Sequence, residues 1–148
     1  MDVMNLYGRT RDVAALGTEH SSLGQVFSRA AAAEGLRVSV DSGSLVRGAF
    51  FRSDHFPFAR AGVPSLSLES GDLYVGRAEG WGKAQRDEYN EKRYHQAADE
   101  MLDWFSMDGA VQQIKVILRA AWLVANAPGQ PTWTQGSEFR AAGEARLR

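Results

Sequence analysis

Arg52, Ser53, Asp54 and His55 place two charges, a hydroxyl and an imidazole in four consecutive residues, and the aromatic run Phe56, Pro57, Phe58 follows at once. A carboxylate beside an imidazole can hold a neighbouring catalytic group or metal ligand in orientation by hydrogen bonding. The same groups can also do no more than stabilise their own loop. Metal-assisted hydrolysis is the chemistry worth testing. A hydrolytic zinc ion takes about three protein ligands and a water, and a pair of ions adds a bridging carboxylate. The chain has no cysteine, so such an ion must be held by His, Asp or Glu. Its histidines are His20, His55 and His95. None lies in an HExxH or HxD arrangement and no two are spaced to share a helical face, so spacing alone does not establish a metal site.

The elements that must position these groups can be read from periodicity and punctuation. Asp2 to Tyr7 reads as a strand or the end of one, and Arg11 to Gly17 as a second strand after the turn at Gly8. Ser22 and Gln25 have the spacing of a capping box, and Leu23, Val26, Phe27 and Ala30 recur at helical spacing up to Gly35. Leu36 to Val40 contains a short alternating strand. Ser53 or Asp54 is expected to cap a short helix with Pro57 in its first turn, ended by Gly62 and Pro64, and Val63 to Leu68 alternates like a strand leading to Glu69. Gly71 to Asp87, with its glycines, reads as a long surface loop, and Tyr89 to Met101 as partly helical. Ser106 can cap a last helix whose apolar stripe is Ala110, Ile114, Ile117, Leu118, Ala121 and Val124. Strands alternating with helices predict an α/β fold on a mixed, mostly parallel sheet. The division expected is a domain over 1–127 and a polar tail over 128–148, in which Trp133 and Phe139 could anchor onto the body. Ligands of such sheets sit at the C-terminal ends of strands, where Asp2 and Glu69 are expected.

Composition narrows the function classes. The 148 residues suffice for one domain with a core, and 44% hydrophobic with 24% charged residues is the balance of a globular protein. A net charge of −1 gives no footprint for nucleic acid or an anionic membrane. No apolar run approaches the ~20 residues of a membrane span, and the N-terminal residues lack the pattern of a signal peptide, so localisation is left open. Met1, Asp2, Val3 and Met4 read as the interior of a strand, which leads to the expectation that this is the C-terminal part of a longer domain.

Three blocks carry a resemblance. RSDHFPFARAGVPSL, from Arg52 to Leu66, resembles the RSDH-x-x-F-x-x-x-G-(I/V)-P block of the co-catalytic zinc aminopeptidases, metallopeptidase family twenty-eight, which includes aminopeptidase Y and glutamate carboxypeptidase relatives. RYHQAADE, from Arg93 to Glu100, resembles that family's YH-x-x-x-D block, and MDVMNLYGRTRDV its N-x-D strand. The blocks stand in the family's order. The resemblance implies a partial three-layer sandwich, the C-terminal half of a zinc-exopeptidase domain. It implies that Asp2 matches a ligand of one zinc ion and His95 a ligand of the other, and that Asp54 and His55 match residues supporting the site rather than ligands. Glu69 and Trp81 are expected to line the substrate pocket, and a peptide is the implied substrate. Relatives are often exported.

The departures are equally specific. The family's HxD segment, with a histidine ligand and the bridging aspartate, has no counterpart here, nor has its adjacent Glu-Glu pair with the general base. Phe50 and Phe51 stand where some relatives have a tyrosine, and Ala97 where proline is common. No residue of this chain is therefore assigned a catalytic role, and the chain alone is expected to be inactive, with the missing N-terminal half as its partner. The alternatives kept open are a non-catalytic interaction module that retains the peptidase fold, and an unrelated α/β domain in which the RSDH block arose by chance.

Overall fold

The computed structural model of the protein describes residues 4–40 and 48–147. Its centre is β1 (Asp12–Leu16), whose Asp12, Val13, Ala14 and Leu16 are buried, as a strand covered on both faces requires. On one side β1 pairs in parallel with β2 (Arg37–Ser39), with Val13 opposite Val38. On the other it pairs antiparallel with β3 (Ser67–Ser70), with Ala14 opposite Glu69 and Leu16 opposite Ser67. The order β2-β1-β3 makes a small mixed sheet rather than the mostly parallel one expected. The connections explain the difference. A helix carries the chain from β1 back to the start of β2, which forces the parallel pair. β3 instead enters beside Leu16, at the C-terminal end of β1, and runs back along it.

That crossover helix, α1 (Leu23–Ala33), buries Gly24, Phe27, Ala30 and Ala31, the face that the sequence pattern marks. The capping box expected of Ser22 and Gln25 is not formed. Ser22 itself has helical dihedrals, and its Oγ accepts the Thr132 N–H at 3.0 Å, tying the helix to the C-terminal tail instead. Gly35, at φ +72°, ends the helix, and the Leu36 N–H reaches back to the Ala31 carbonyl at 2.9 Å. After it, Ala49–Arg52 forms a 3-10 turn and Phe56–Arg60 the short α2, with Pro57 in its first turn. Gly62 at φ +82° closes α2, and the Val63 N–H bonds to the Phe58 carbonyl. β3 starts at Ser67 rather than Val63. Pro64 has no N–H for a ladder, and the Ser65 hydroxyl donates to the His55 carbonyl, which holds this stretch against α2.

Three further departures have physical causes. Residues 4–7 form no strand; Tyr7 makes only an isolated bridge with Ser106, and residues 1–3 lie outside the described residues. The expected loop over 71–87 is half helix, because α3 (Trp81–Lys92) begins inside it. Its glycines do not break it. Gly80 precedes the helix at φ +81°, and at Gly82 a Cβ would come within 2.6 Å of the Asp72 carbonyl oxygen and 2.8 Å of the Tyr74 ring. The last long helix, α4 (Asp108–Ala125), has Met107 rather than the expected Ser106 at its cap position, with Ser106 Oγ accepting the Asp108 N–H from one residue before it; the helix buries Gly109, Ala110, Gln113 and Val116 and leaves Ile114, Ile117 and Leu118 exposed. α4 is apolar on most of its circumference, so its pattern does not mark one face.

Two apolar clusters cover the sheet, and the strand pleat assigns them to opposite faces. Val13 and Ala15 point into the first, with Phe27, Ala30 and Ala31 of α1 and Val116, Ala120 and Leu123 of α4. Leu16 points into the second, with Phe50, Ala59, Phe139 and, at its edge, Phe56 and Trp133. Helices thus flank the sheet on both sides. The tail reaches the second cluster through Phe139, just before α5 (Arg140–Arg146), and through Trp133, whose indole N–H donates to the Gly62 carbonyl at 3.1 Å. No helix of the described residues is long and apolar enough to cross a membrane.

Candidate metal and substrate site

His95 sits in the turn that follows α3. Its backbone has φ +58°, and it is the only non-glycine among the described residues with positive φ. The left-handed conformation turns its side chain out of the fold. The imidazole is exposed, stacks on Tyr94 at 3.9 Å between ring centroids, and has no hydrogen-bond partner among the described residues. Asp99, a carboxylate that could have held it, instead accepts the Tyr89 hydroxyl at 2.9 Å. The turn is fastened from below by the Tyr94 N–H to the Tyr89 carbonyl and the Gln96 N–H to the Arg93 carbonyl, at 2.9 and 2.8 Å.

Under this turn lies Arg93, only 9% exposed. Its Nη2 donates to Glu88 Oε2 at 2.9 Å and its guanidinium lies over the Tyr89 ring, while Nε and Nη1 are buried without a partner among the described residues. Buried unmet donors of this kind each cost about 1–3 kcal/mol, so the turn is held in place by other contacts. Beside the turn, within electrostatic reach of Arg93, stands Tyr7. Tyr7 packs against Trp104 and Phe105, each at 5.5 Å, and edge-on against Tyr74 and Trp81.

Trp81, expected in the substrate pocket, is half-buried here at the start of α3. One side of its ring meets Tyr74 at 5.0 Å, and the Arg77 guanidinium stands over it at 4.8 Å. Tyr74 is fixed in turn. Its hydroxyl donates to Asn5 Oδ1 at 2.9 Å, and burial pushes its pKa well above the tyrosine range, so it remains a donor. The same Asn5 oxygen accepts the Tyr7 N–H, and the Asn5 N–H donates to Gln113 Oε1 of α4, whose amide nitrogen donates to Ser70 Oγ at the end of β3. This polar network joins the chain's first described residues to α4 and β3.

Asp54 and His55 lie elsewhere, at the second apolar cluster. Neither Ser53 nor Asp54 caps α2 with its side chain; His55 occupies the cap position, and the Phe56 N–H bonds to the Ser53 backbone carbonyl. The His55 ring meets Phe50 edge-on at 4.5 Å, and its Nε2 is buried without a partner among the described residues. Burial lowers the His55 pKa, opposed by the neighbouring Asp54 carboxylate, so the imidazole is neutral at pH 7. Asp54 is exposed. Glu69 is half-buried within β3, and Asp2 lies outside the described residues.

Of the expected site residues, Trp81 packs on Tyr7, which lies within electrostatic reach of Tyr89 and Arg93 at the base of the His95 turn, while Asp54 and His55 belong to a separate aromatic group. Among the described residues no set of three or more His, Asp or Glu side chains converges to hold a metal ion. His95 is part of no such set among the described residues, and an imidazole outside one does not fit a zinc ion. Sequence reasoning passed over Asn5, Tyr74 and Gln113, which tie the first described residues to α4 and β3, and Arg93, which pairs with Glu88 and lies over the Tyr89 ring just before the turn. Arg93 alone carried a signal, a cation set between Tyr89 and Tyr94.

Comparison with curated proteins and with solved structures finds no match. The family model of Peptidase family M28 matches residues 1–121, most of the chain, and the chain belongs to that family.

Proposed function

We propose that the chain supplies the C-terminal portion of a zinc-dependent exopeptidase domain of aminopeptidase type, and that it acts on peptides only together with the segment carrying HxD and Glu-Glu. The observation that carries this reading is His95. It is an exposed imidazole with no hydrogen-bond partner among the described residues, on a backbone at φ +58°, in the block that resembles the family's YH block. A side chain held in a costly conformation over a braced turn is a feature of functional sites. In this reading Asp2 serves one ion and His95 the other. Zinc, when bound by the complete domain, supplies a water activated for attack on the scissile carbonyl. This chain's own part is to hold His95 outward, to line the pocket with Trp81 and Glu69, and to support the adjoining surface with Asp54 and His55. No step of hydrolysis is assigned to the chain alone, because the described donors do not fit the metal by themselves.

The incomplete donor set favours a second reading, an interaction module that keeps the peptidase fold without the chemistry. One experiment separates the two. The chain is produced alone and together with a complementary family segment bearing HxD and Glu-Glu, with zinc and an aminoacyl-amide substrate. The enzyme reading expects chelator-sensitive turnover only in the assembled form, lost in His95→Ala. Assembly without turnover favours the module, and chelator-sensitive turnover by the chain alone overturns the proposed division of labour.

A further inference from the structure

α4 shows apolar residues to solvent along its whole length. Met107, at its N-terminal boundary, Val111, Ile114, Leu118 and Trp122 recur at spacings of four, three, four and four residues, which puts them on one stripe, opposite the side that packs on the core. Leu118 and Trp122 are 67% and 68% exposed, values unusual for a helix already anchored by Val116 at 0%. The sheet explains why this side is bare. Its strands lie about 4.8 Å apart, so three span little more than one helix width of about 10 Å, and α1 already occupies part of that face. α4 therefore overhangs, with nothing among the described residues beyond it.

We propose that this face docks a second copy of the chain, two α4 helices packing across a twofold axis near Ile114 and Leu118. Area and charge support that occupant. From the exposed fractions, the stripe offers on the order of 600 Å² per copy, about three quarters of the ~800 Å² per partner of a standard interface and at the upper end of the bare patches usual on a monomer. The stripe carries no charged side chain. Asp108, Lys115 and Arg119 stand to one side of it, and Arg119 is already paired with Glu34 at 2.9 Å. A face packing on its own copy must avoid like-charge contacts, and this one has none to avoid, whereas it offers no charged group by which to select an acidic or basic partner. The inference does not depend on the peptidase reading.

Sedimentation and light scattering of the full chain at micromolar concentration test it. A dimer is expected, and Leu118→Glu is expected to weaken it at least 100-fold with helical circular dichroism unchanged, while Phe58→Glu, at an exposed apolar position on α2 at the other face of the sheet, leaves it intact. Should Leu118→Glu fail to fold, the cysteine-free chain allows a second measurement. Ile114→Cys is expected to form a disulfide-linked dimer on mild oxidation and Phe58→Cys is not. A wild-type monomer, a dimer indifferent to Leu118→Glu, association lost equally in Phe58→Glu, equal cross-linking of both cysteine variants, or a chain that pairs only with a complementary peptidase segment would each overturn the proposal.

Discussion

His55 is buried enough for its Nε2 to lose contact with water, and no hydrogen bond from the described residues replaces it. Burial therefore lowers its pKa in the folded chain below the ~6.5 of an unfolded histidine. The sign of the pH effect follows. Below about pH 6.5 the unfolded chain binds a proton that the folded chain refuses, so unfolding gains. The stability at stake is intact above pH 6.5 and is lost progressively as pH falls toward the lowered folded value. Thermal melting between pH 7.5 and 5 should show a falling midpoint, and His55→Phe, which keeps a ring against Phe50, should make that fall shallower. An unchanged slope in the variant would show that His55 does not carry the effect. Residues of this kind are poorly legible from sequence. The RSDH block marked Asp54 and His55 as chemistry, but the aromatic surroundings that set the state of His55 come from Phe50 and, through Phe50, from Phe139 far along the chain.

Elements were legible where one face of the pattern was apolar and the other was not. α1, β1 and β2 follow from alternation and helical spacing alone, and Gly35 and Gly62 end their helices as read. α4 was legible as a helix but not in its orientation. Its buried side is chosen by Gly109, which lets Asn5 and Gly8 approach, and by Gln113, which takes the Asn5 N–H, partners about a hundred residues away. The direction of β3 depends on where the chain re-enters the sheet, which no local pattern states. Gly62 shows how one element holds another. A Cβ there would come 2.5 Å from the Ala142 backbone, at a φ of +82° that L side chains rarely adopt. The Gly62 carbonyl meanwhile receives the Trp133 indole and the Arg146 Nε, at 3.1 and 3.3 Å. Gly62→Ala should cost at least about 1–2 kcal/mol from the backbone conformation alone. It should also lift the tail, read in urea titration as a red shift of Trp133 emission before the main transition. Full stability with unshifted emission would show that this contact does not hold the tail.

At the scale of the molecule, the candidate site is divided between what the chain shows and what it lacks. His95 was legible only because RYHQAADE stands in family order; its exposed, strained placement was not, since it results from the packing of Tyr94, Tyr89 and Arg93 beneath it. A lone imidazole presented to solvent binds zinc feebly compared with three or four converging ligands. Linkage turns that difference into a measurable quantity. A ligand present at 100 times its dissociation constant stabilises the folded state by about 2.7 kcal/mol, which for a domain of this size raises the melting temperature by roughly 5–10 °C. At 100 µM zinc the isolated chain should melt within about 1 °C of its metal-free value, because such a site lies far from saturation. In the proposed reading, the domain assembled with a complementary segment bearing HxD and Glu-Glu should gain several degrees and lose part of that gain in His95→Ala. A shift of several degrees in the isolated chain, abolished by His95→Ala, would mean that this chain closes a metal site of its own and that the segment bearing HxD is not needed to hold the ion.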